Sequence, residues 1–204
     1  MKRRYGSRLF EGMFSGVYFF GMEPIETERL ILRRLELNDA PDIFEYGRDP
    51  EVARHVLWEP YETVSECKSY IRSMQRRYRM GDPASWGIEL KSTGRIVGTI
   101  GYMWYQEDHA SVEVGYSLAR DLWNQGLMSE ALRAVIRHSF ETLHLNRVEA
   151  QHELTNPASG RVMQKCGMQY EGTLRQRLCN KGHFVDVALY AILRSDYDAL
   201  RARK

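Results

Sequence analysis

Between Ser111 and Phe140 the hydrophobic period of the chain switches from two to roughly 3.6 residues, and this switch constrains the fold most. Ser111 to Leu118 (SVEVGYSL) alternates as a strand, with β-branched Val112 and Val114 and aromatic Tyr116. From Met128 onward Ala131, Leu132, Val135, Ile136 and Phe140 recur three or four apart, which specifies a helix with Arg133, Arg137 and His138 on its other faces. The intervening Trp123-Asn124-Gln125-Gly126-Leu127-Met128 is then a turn delivering its amides into a helix start. The first N–H groups of a helix have no intrahelical partner, and the helix dipole adds partial positive charge, so such a turn suits an anion. Gly126 lets the anion approach the backbone, although a glycine in this place also serves plain turn geometry.

The rest of the chain alternates strands and helices around this unit. Arg29 to Leu35 reads as a first strand, with Asn38-Asp39 as a cap for a helix over Ala40 to Tyr46. Val64 to Met80, opened by Thr63 or Ser65, carries Val64, Cys67, Ile71 and Met74 at helical spacing and stops at Gly81-Asp82-Pro83. Its Arg72, Arg76, Arg77 and Arg79 read as a solvated face or, less simply, as a patch for an acidic substrate. Ser85 to Leu90 and Arg95 to Tyr105 form a hairpin about Ser92-Thr93-Gly94, and Gln106 to His109 turns back into the strand at Ser111. Strands at Arg147 to His152, Met168 to Arg175 and His183 to Leu193, with a short helix from Ser159 to Cys166, complete a mixed, mostly antiparallel α/β sheet carrying helices.

Charge and cysteine content exclude several classes. A net charge of +2 and a pI near 8.4 are too slight to argue for nucleic acid. Cys67, Cys166 and Cys179 are odd in number and lack a CxxC pair, which argues for reduced thiols in the cytoplasm and against a disulfide framework or metal site. No apolar run reaches the ~20 residues of a membrane helix. Met1 to Gly21 has a basic start and an apolar piece, Gly16 to Phe20, shorter than the roughly 7–15 residues of a signal core and without a small-residue cleavage site. It is expected to be an N-terminal extension or the product of an upstream start codon, followed by one domain over residues 22–204.

Four blocks in order carry a family resemblance. Trp123, Gly126, Ser129, Glu130 and Ala131 form Trp-x-x-Gly-x-x-Ser-Glu-Ala; the others are Glu28 to Arg33, Asn156-Pro157-Ala158-Ser159, and Lys165 to Met168 with Glu171-Gly172. Together, from about residue 25 to 195, they resemble the GNAT superfamily of N-acetyltransferases, and within it the ribosomal-protein alanine acetyltransferases. The resemblance implies a GNAT fold whose sheet splays at the central strand, with helices on both faces, and acetyl-CoA as cosubstrate. It implies that Tyr116, Ser117 and Leu118 line the pantetheine arm like an added strand, and that the pyrophosphate lies on the turn of Trp123, Asn124, Gln125, Gly126, Leu127, Met128 and Ser129. Asn156 then bonds the pantetheine amide, and Ser159 stands near the thioester sulfur, although a serine there also suits a helix cap. Homodimerisation follows only by analogy.

Acetyl transfer to an amine requires a neutral amine, a stabilised oxyanion and a protonated leaving thiol. Glu113, on the opposite face of its strand from Val112 and Val114, is the first choice of base; a solvated or ion-paired glutamate is the alternative. His138 and His152 are further options. Two positions depart from the family pattern: Met163 stands where many members have a catalytic tyrosine, and Leu178 where the ribosomal-protein branch has a basic glutamate. An α-amine, with pKa near 7.7–8.0, is partly neutral at pH 7, whereas a lysine amine near 10.4 is not. A weak base therefore favours α-amines, those of protein N-termini or of amino-acid-like molecules. Small amines such as polyamines, amino acids or antibiotics are the rival acceptors, and a non-catalytic acyl-CoA sensor is the rival of another class.

Overall fold

The computed structural model describes Phe19 and residues 22–202. One sheet contains β1 (Ile25–Glu26), β2 (Leu30–Arg33), β3 (Ser85–Leu90), β4 (Arg95–Gln106), β5 (Ser111–Leu118), β6 (Arg147–Glu153), β7 (Gln169–Asn180) and β8 (His183–Leu193). Their spatial order among the described residues is β1-β2-β3-β4-β5-β6-β8-β7. The helices are α1 (Ala40–Gly47), α2 (Pro50–Ala53), α3 (Val64–Met80), α4 (Leu127–Glu141), α5 (Pro157–Lys165) and α6 (Arg194–Arg201). All strand pairs are antiparallel except β5 with β6, which α4 joins as a crossover.

Local chemistry explains most boundaries. Thr63 and Glu66 form a capping box that starts α3, and Gly81 at φ 70° ends it. The four arginines on its outer side are exposed, as a solvated face requires. Asp39 precedes α1 but its side chain does not cap the helix; the carboxylate instead takes the Arg33 guanidinium and the Glu36 N–H. The short helix expected from Ser159 begins at Pro157, because Asn156 supplies the cap. β7 runs past the expected Arg175 to Asn180, paired to β8 although nearly all its side chains face solvent. A strand exposed on both faces leaves no alternation to read.

Pleating sorts the central residues onto two faces. On one, Tyr102 of β4 bonds Ser139 of α4 (2.8 Å) and Tyr116 of β5 meets Ser159 of α5. Ile100, Val112, Val114, Leu132, Phe140 and Val148 fill the core there, each at most 2% exposed. On the other face Asp42 of α1 accepts from the Ile96 N–H, and Tyr78 of α3 reaches the Ser85 carbonyl. Of the arm over residues 1–21 only Phe19 is described, its ring 5.0 Å from Tyr102 and 5.3 Å from Tyr105; the rest of that expectation lies outside the described residues.

The decisive feature for function is a wedge. β5 and β6 pair at Ser111 with Arg147, Val112 with Val148 and Glu113 with Glu149, and no further. Both strands continue, to Leu118 and Glu153, so they diverge beyond an apex at Glu113. Across β5 the ladder of β4 is interrupted between Tyr102 and Trp104, with Met103 as the extra residue. A Cβ on Gly115 would lie 2.7 Å from Met103 Sδ, so Gly115 makes room for a bulge in the neighbouring strand.

Candidate active site

The turn between β5 and α4 has the geometry an anion needs. Asn124 and Gly126 both have left-handed φ, 60° and 78°, and Gly126 stands immediately before the first helical residue. Trp123 Nε1 bonds the Leu118 carbonyl at 2.8 Å, tying the turn to the end of β5, and Gln125 Nε2 bonds the Asp121 carbonyl at 2.9 Å. Leu127, Met128 and Ser129 point their side chains into the protein, at 3–7% exposure, so only their backbone N–H groups are offered outward.

A clasp outside the turn holds this helix start in place. Glu130 Oε1 accepts from Thr27 Oγ1 (2.7 Å) and the Arg29 N–H (2.8 Å), and Oε2 pairs with Arg29 Nε at 2.7 Å. Arg29 Nη1 also reaches the Gln125 carbonyl at 3.0 Å. Burial alone would raise the Glu130 pKa, but the Thr27 and Arg29 hydrogen bonds outweigh it and hold the carboxyl below its usual range. Arg29 thereby offsets a negative charge that would otherwise oppose an anion at the turn.

On the α4/α5 face of the wedge Tyr116 and Ser159 meet. The phenol lies 2.8 Å from Ser159 Oγ and 3.2 Å from its carbonyl, and burial pushes its pKa well above the ordinary value. The Asn156 side chain caps α5 by accepting from the Ser159 N–H at 3.4 Å, so Ser159 is not the cap. Met163 is 1% exposed in the core. Nearby Cys166 is buried, its thiol pushed up to about 11 by burial, and it donates to the Ser129 carbonyl. His152 stacks on Tyr190 with Nδ1 on the Glu153 carbonyl, while its buried Nε2 has no hydrogen-bond partner among the described residues.

The opposite face carries Glu113. Its carboxylate is half-buried and accepts from Trp104 Nε1 (2.6 Å) and from Gln151 Nε2 (2.9 Å) across the apex, with no ion pair among the described residues. Ser117, on the same face, stands 3.2 Å from Thr99 Oγ1. His138 is remote from this face: it packs edge-on to Trp86 and contacts Tyr102 Oη at 3.1 Å, and burial lowers its pKa, favouring the neutral ring. Leu178 pairs with Val185 in the β7–β8 hairpin and brings no charge. A surface cavity of about 700 Å³ between α1 and the start of β4 contains none of the sequence-predicted site residues.

Two groupings were not foreseen. Tyr116 was expected only as a lining residue, yet its hydroxyl joins Ser159. The second is a cluster about Glu153, which accepts from His55 Nδ1 (2.9 Å), Thr155 Oγ1 (3.3 Å) and Asn180 Nδ2. Burial alone would raise the Glu153 pKa, but His55, Asn180 and Thr155 together hold it below the usual carboxylate range. A folded-state pKa that is lowered gives stability above the ordinary carboxylate value, lost as pH falls through the lowered one. Urea unfolding midpoints are therefore expected to drop below about pH 4, and less steeply in Glu153→Gln. Parallel curves for the two proteins would remove Glu153 from the account.

Residues 29–169 match the GNAT acetyltransferase domain family. An uncharacterised N-acetyltransferase of Bacillus licheniformis is 34% identical over 86% of this chain and 99% of its own length. The ribosomal protein uS5 alanine N-acetyltransferase of Escherichia coli is 26% identical over 85% of this chain and 92% of its own. A GNAT-family acetyltransferase structure from Bacillus anthracis, 28% identical, superposes with a TM-score of 0.75 over 85% of this chain and 99% of that one. With the anion-ready turn and the splayed central strand, these matches establish that the chain belongs to the GNAT family and is an acetyl-CoA-dependent N-acetyltransferase.

Proposed function

We propose that this enzyme acetylates the N-terminal α-amine of a protein, such as a ribosomal protein. The observation that carries the proposal is the chemical division of the wedge: paired hydroxyls of Tyr116 and Ser159 on one face and the Glu113 carboxylate on the other. The likeness to a ribosomal-protein alanine N-acetyltransferase supports the acceptor class. In this reading the pyrophosphate of acetyl-CoA rests on the amides of the 123–129 turn, and pantetheine runs along Tyr116, Ser117 and Leu118, with its amide on Asn156. Ser159 Oγ hydrogen-bonds the departing sulfur, with Tyr116 behind it. Glu113 attracts the acceptor ammonium from the other face and orders the water that carries its proton away. An α-ammonium gives up that proton far more readily than a lysine does.

Release of CoA thiol from acetyl-CoA tests the acceptor. A peptide with a free N-terminal alanine is expected to support release, whereas a matched peptide with a blocked N-terminus and an internal lysine is not. Release with neither, given demonstrated CoA binding, would overturn the protein-N-terminus reading and redirect the search to small amines. Glu113→Gln is expected to lower turnover at neutral pH by about 10²-fold and to recover in part at higher pH, where the amine is already neutral. An unchanged rate and pH profile would remove Glu113 from the mechanism.

A further inference from the structure

We propose that His55, oriented by Glu153, is the group that accepts the acceptor's proton, an assignment that rests on the amine-acetylation reading. Alternation along β6 puts Glu149, Gln151 and Glu153 on the same face as Glu113, as the bond between Gln151 and Glu113 shows. Continuing the register from the Glu113–Glu149 pair sets Glu153 across the open wedge from Ser117, beyond the last bonded pair. Glu153 is thus on the wall of the wide end, on the face free of the Tyr116–Ser159 pair.

His55 follows α2 and hangs from this carboxylate, Nδ1 to Oε2 at 2.9 Å. An ionised carboxylate only accepts, so Nδ1 carries the hydrogen, and in the neutral ring the lone pair is then on Nε2. Among the described residues no hydrogen bond engages Nε2, and the side chain is 20% exposed. Glu113, by contrast, already takes an N–H on each oxygen. An imidazole whose far nitrogen is fixed by a buried carboxylate is the arrangement of a general base.

The surroundings hold the imidazole rigidly. Lys181, at the β7–β8 turn, donates Nζ to the carbonyls of Ala53, Val56 and Trp58 and to Asn180 Oδ1. Asn180 in turn bonds Glu153 and the Arg54 carbonyl. The loop bearing His55, the end of β6 and the tip of the hairpin are therefore one unit, which supplies the pre-organisation a base requires.

The acceptor ammonium gives one proton, through the water that Glu113 orders, to Nε2, leaving a neutral amine and an imidazolium. The nitrogen lone pair forms the C–N bond at the thioester carbonyl. The C–S bond then breaks as the adduct collapses, and the second nitrogen proton passes to the sulfur, releasing the CoA thiol. The imidazolium returns its proton to solvent.

The test uses His55→Asn, whose side-chain amide keeps a donor for Glu153 but has no basic nitrogen. With the best amine for the wild type, kcat/KM of His55→Asn is expected to fall about 10²-fold, with CoA affinity unchanged. His55→Ala is expected to lose as much and to regain part of its rate with added free imidazole. Glu153 is a positioning residue, so Glu153→Gln is expected to fall between the wild type and His55→Asn. A wild-type rate in His55→Asn, or no response of His55→Ala to imidazole, would overturn the assignment and leave the cluster as a strut. Failure of the wild type itself to acetylate any amine would instead overturn the transferase reading beneath it.

Discussion

Gly126→Trp is expected to abolish tight CoA binding while leaving the fold intact. Gly126 stands at φ 78°, where a side chain is strained, and a Cβ there meets nothing closer than Arg29 Nη2 at 3.6 Å, at an exposed point of the turn. The core is therefore undisturbed, but an indole at this point covers the amides of Leu127, Met128 and Ser129. A hydrogen bond to a charged group is worth about 1.5–3 kcal/mol, so losing two weakens binding by roughly 10² to 10⁴-fold. Gly126→Ala isolates the backbone strain, about 1–2 kcal/mol of folding stability, and is expected to leave CoA affinity close to that of the wild type. Calorimetric titration with CoA distinguishes the two. Unaltered affinity in the tryptophan variant would remove the pyrophosphate from this turn.

Phe140→Ala is expected to cost about 3–5 kcal/mol of stability, the usual range for a buried phenylalanine. The ring is fully buried, stacks on Tyr197 with centroids 5.0 Å apart, and lies 5.5 Å from the Arg194 guanidinium. These contacts fasten the C-terminal half of α4 to the last helix, so the helix whose first turn presents the anion site loses its anchor. For a chain of this size each kcal/mol moves Tm by about 2–4 °C, giving a fall of roughly 6–20 °C in thermal unfolding. A fall of less than about 2 °C would show that α4 is held elsewhere. CoA is expected to offset part of the loss, because it binds only the folded state.

The sheet was readable where one face of an element is buried and the other wet. β5, the turn and α4 announced themselves by their change of period, α3 by Thr63 and Gly81, and the β3–β4 hairpin by its Ser-Thr-Gly turn. β7 lost its far half to the reading because exposure on both faces erases the pattern. The local blocks also singled out Gly126, Ser159 and Glu113 as candidates, since turn geometry, short motifs and strand alternation are short-range properties. What joins them was not legible. Tyr116 finds Ser159 across 43 positions, Arg29 finds Glu130 across 101, and His55 finds Glu153 across 98. A single arginine, glutamate or histidine carries no periodic signal and has dozens of equivalent partners in the chain.

By itself, then, the sequence determined the strand-turn-helix unit, the sheet class and the acetyltransferase family, because backbone conformation and side-chain period are set by neighbours a few residues away. Only the tertiary structure decided which hydroxyl stands behind Ser159, which donors hold Glu113 and which imidazole binds Glu153. Those depend on where β5 and β6 cease to pair, and that point is set by the packing of the whole sheet.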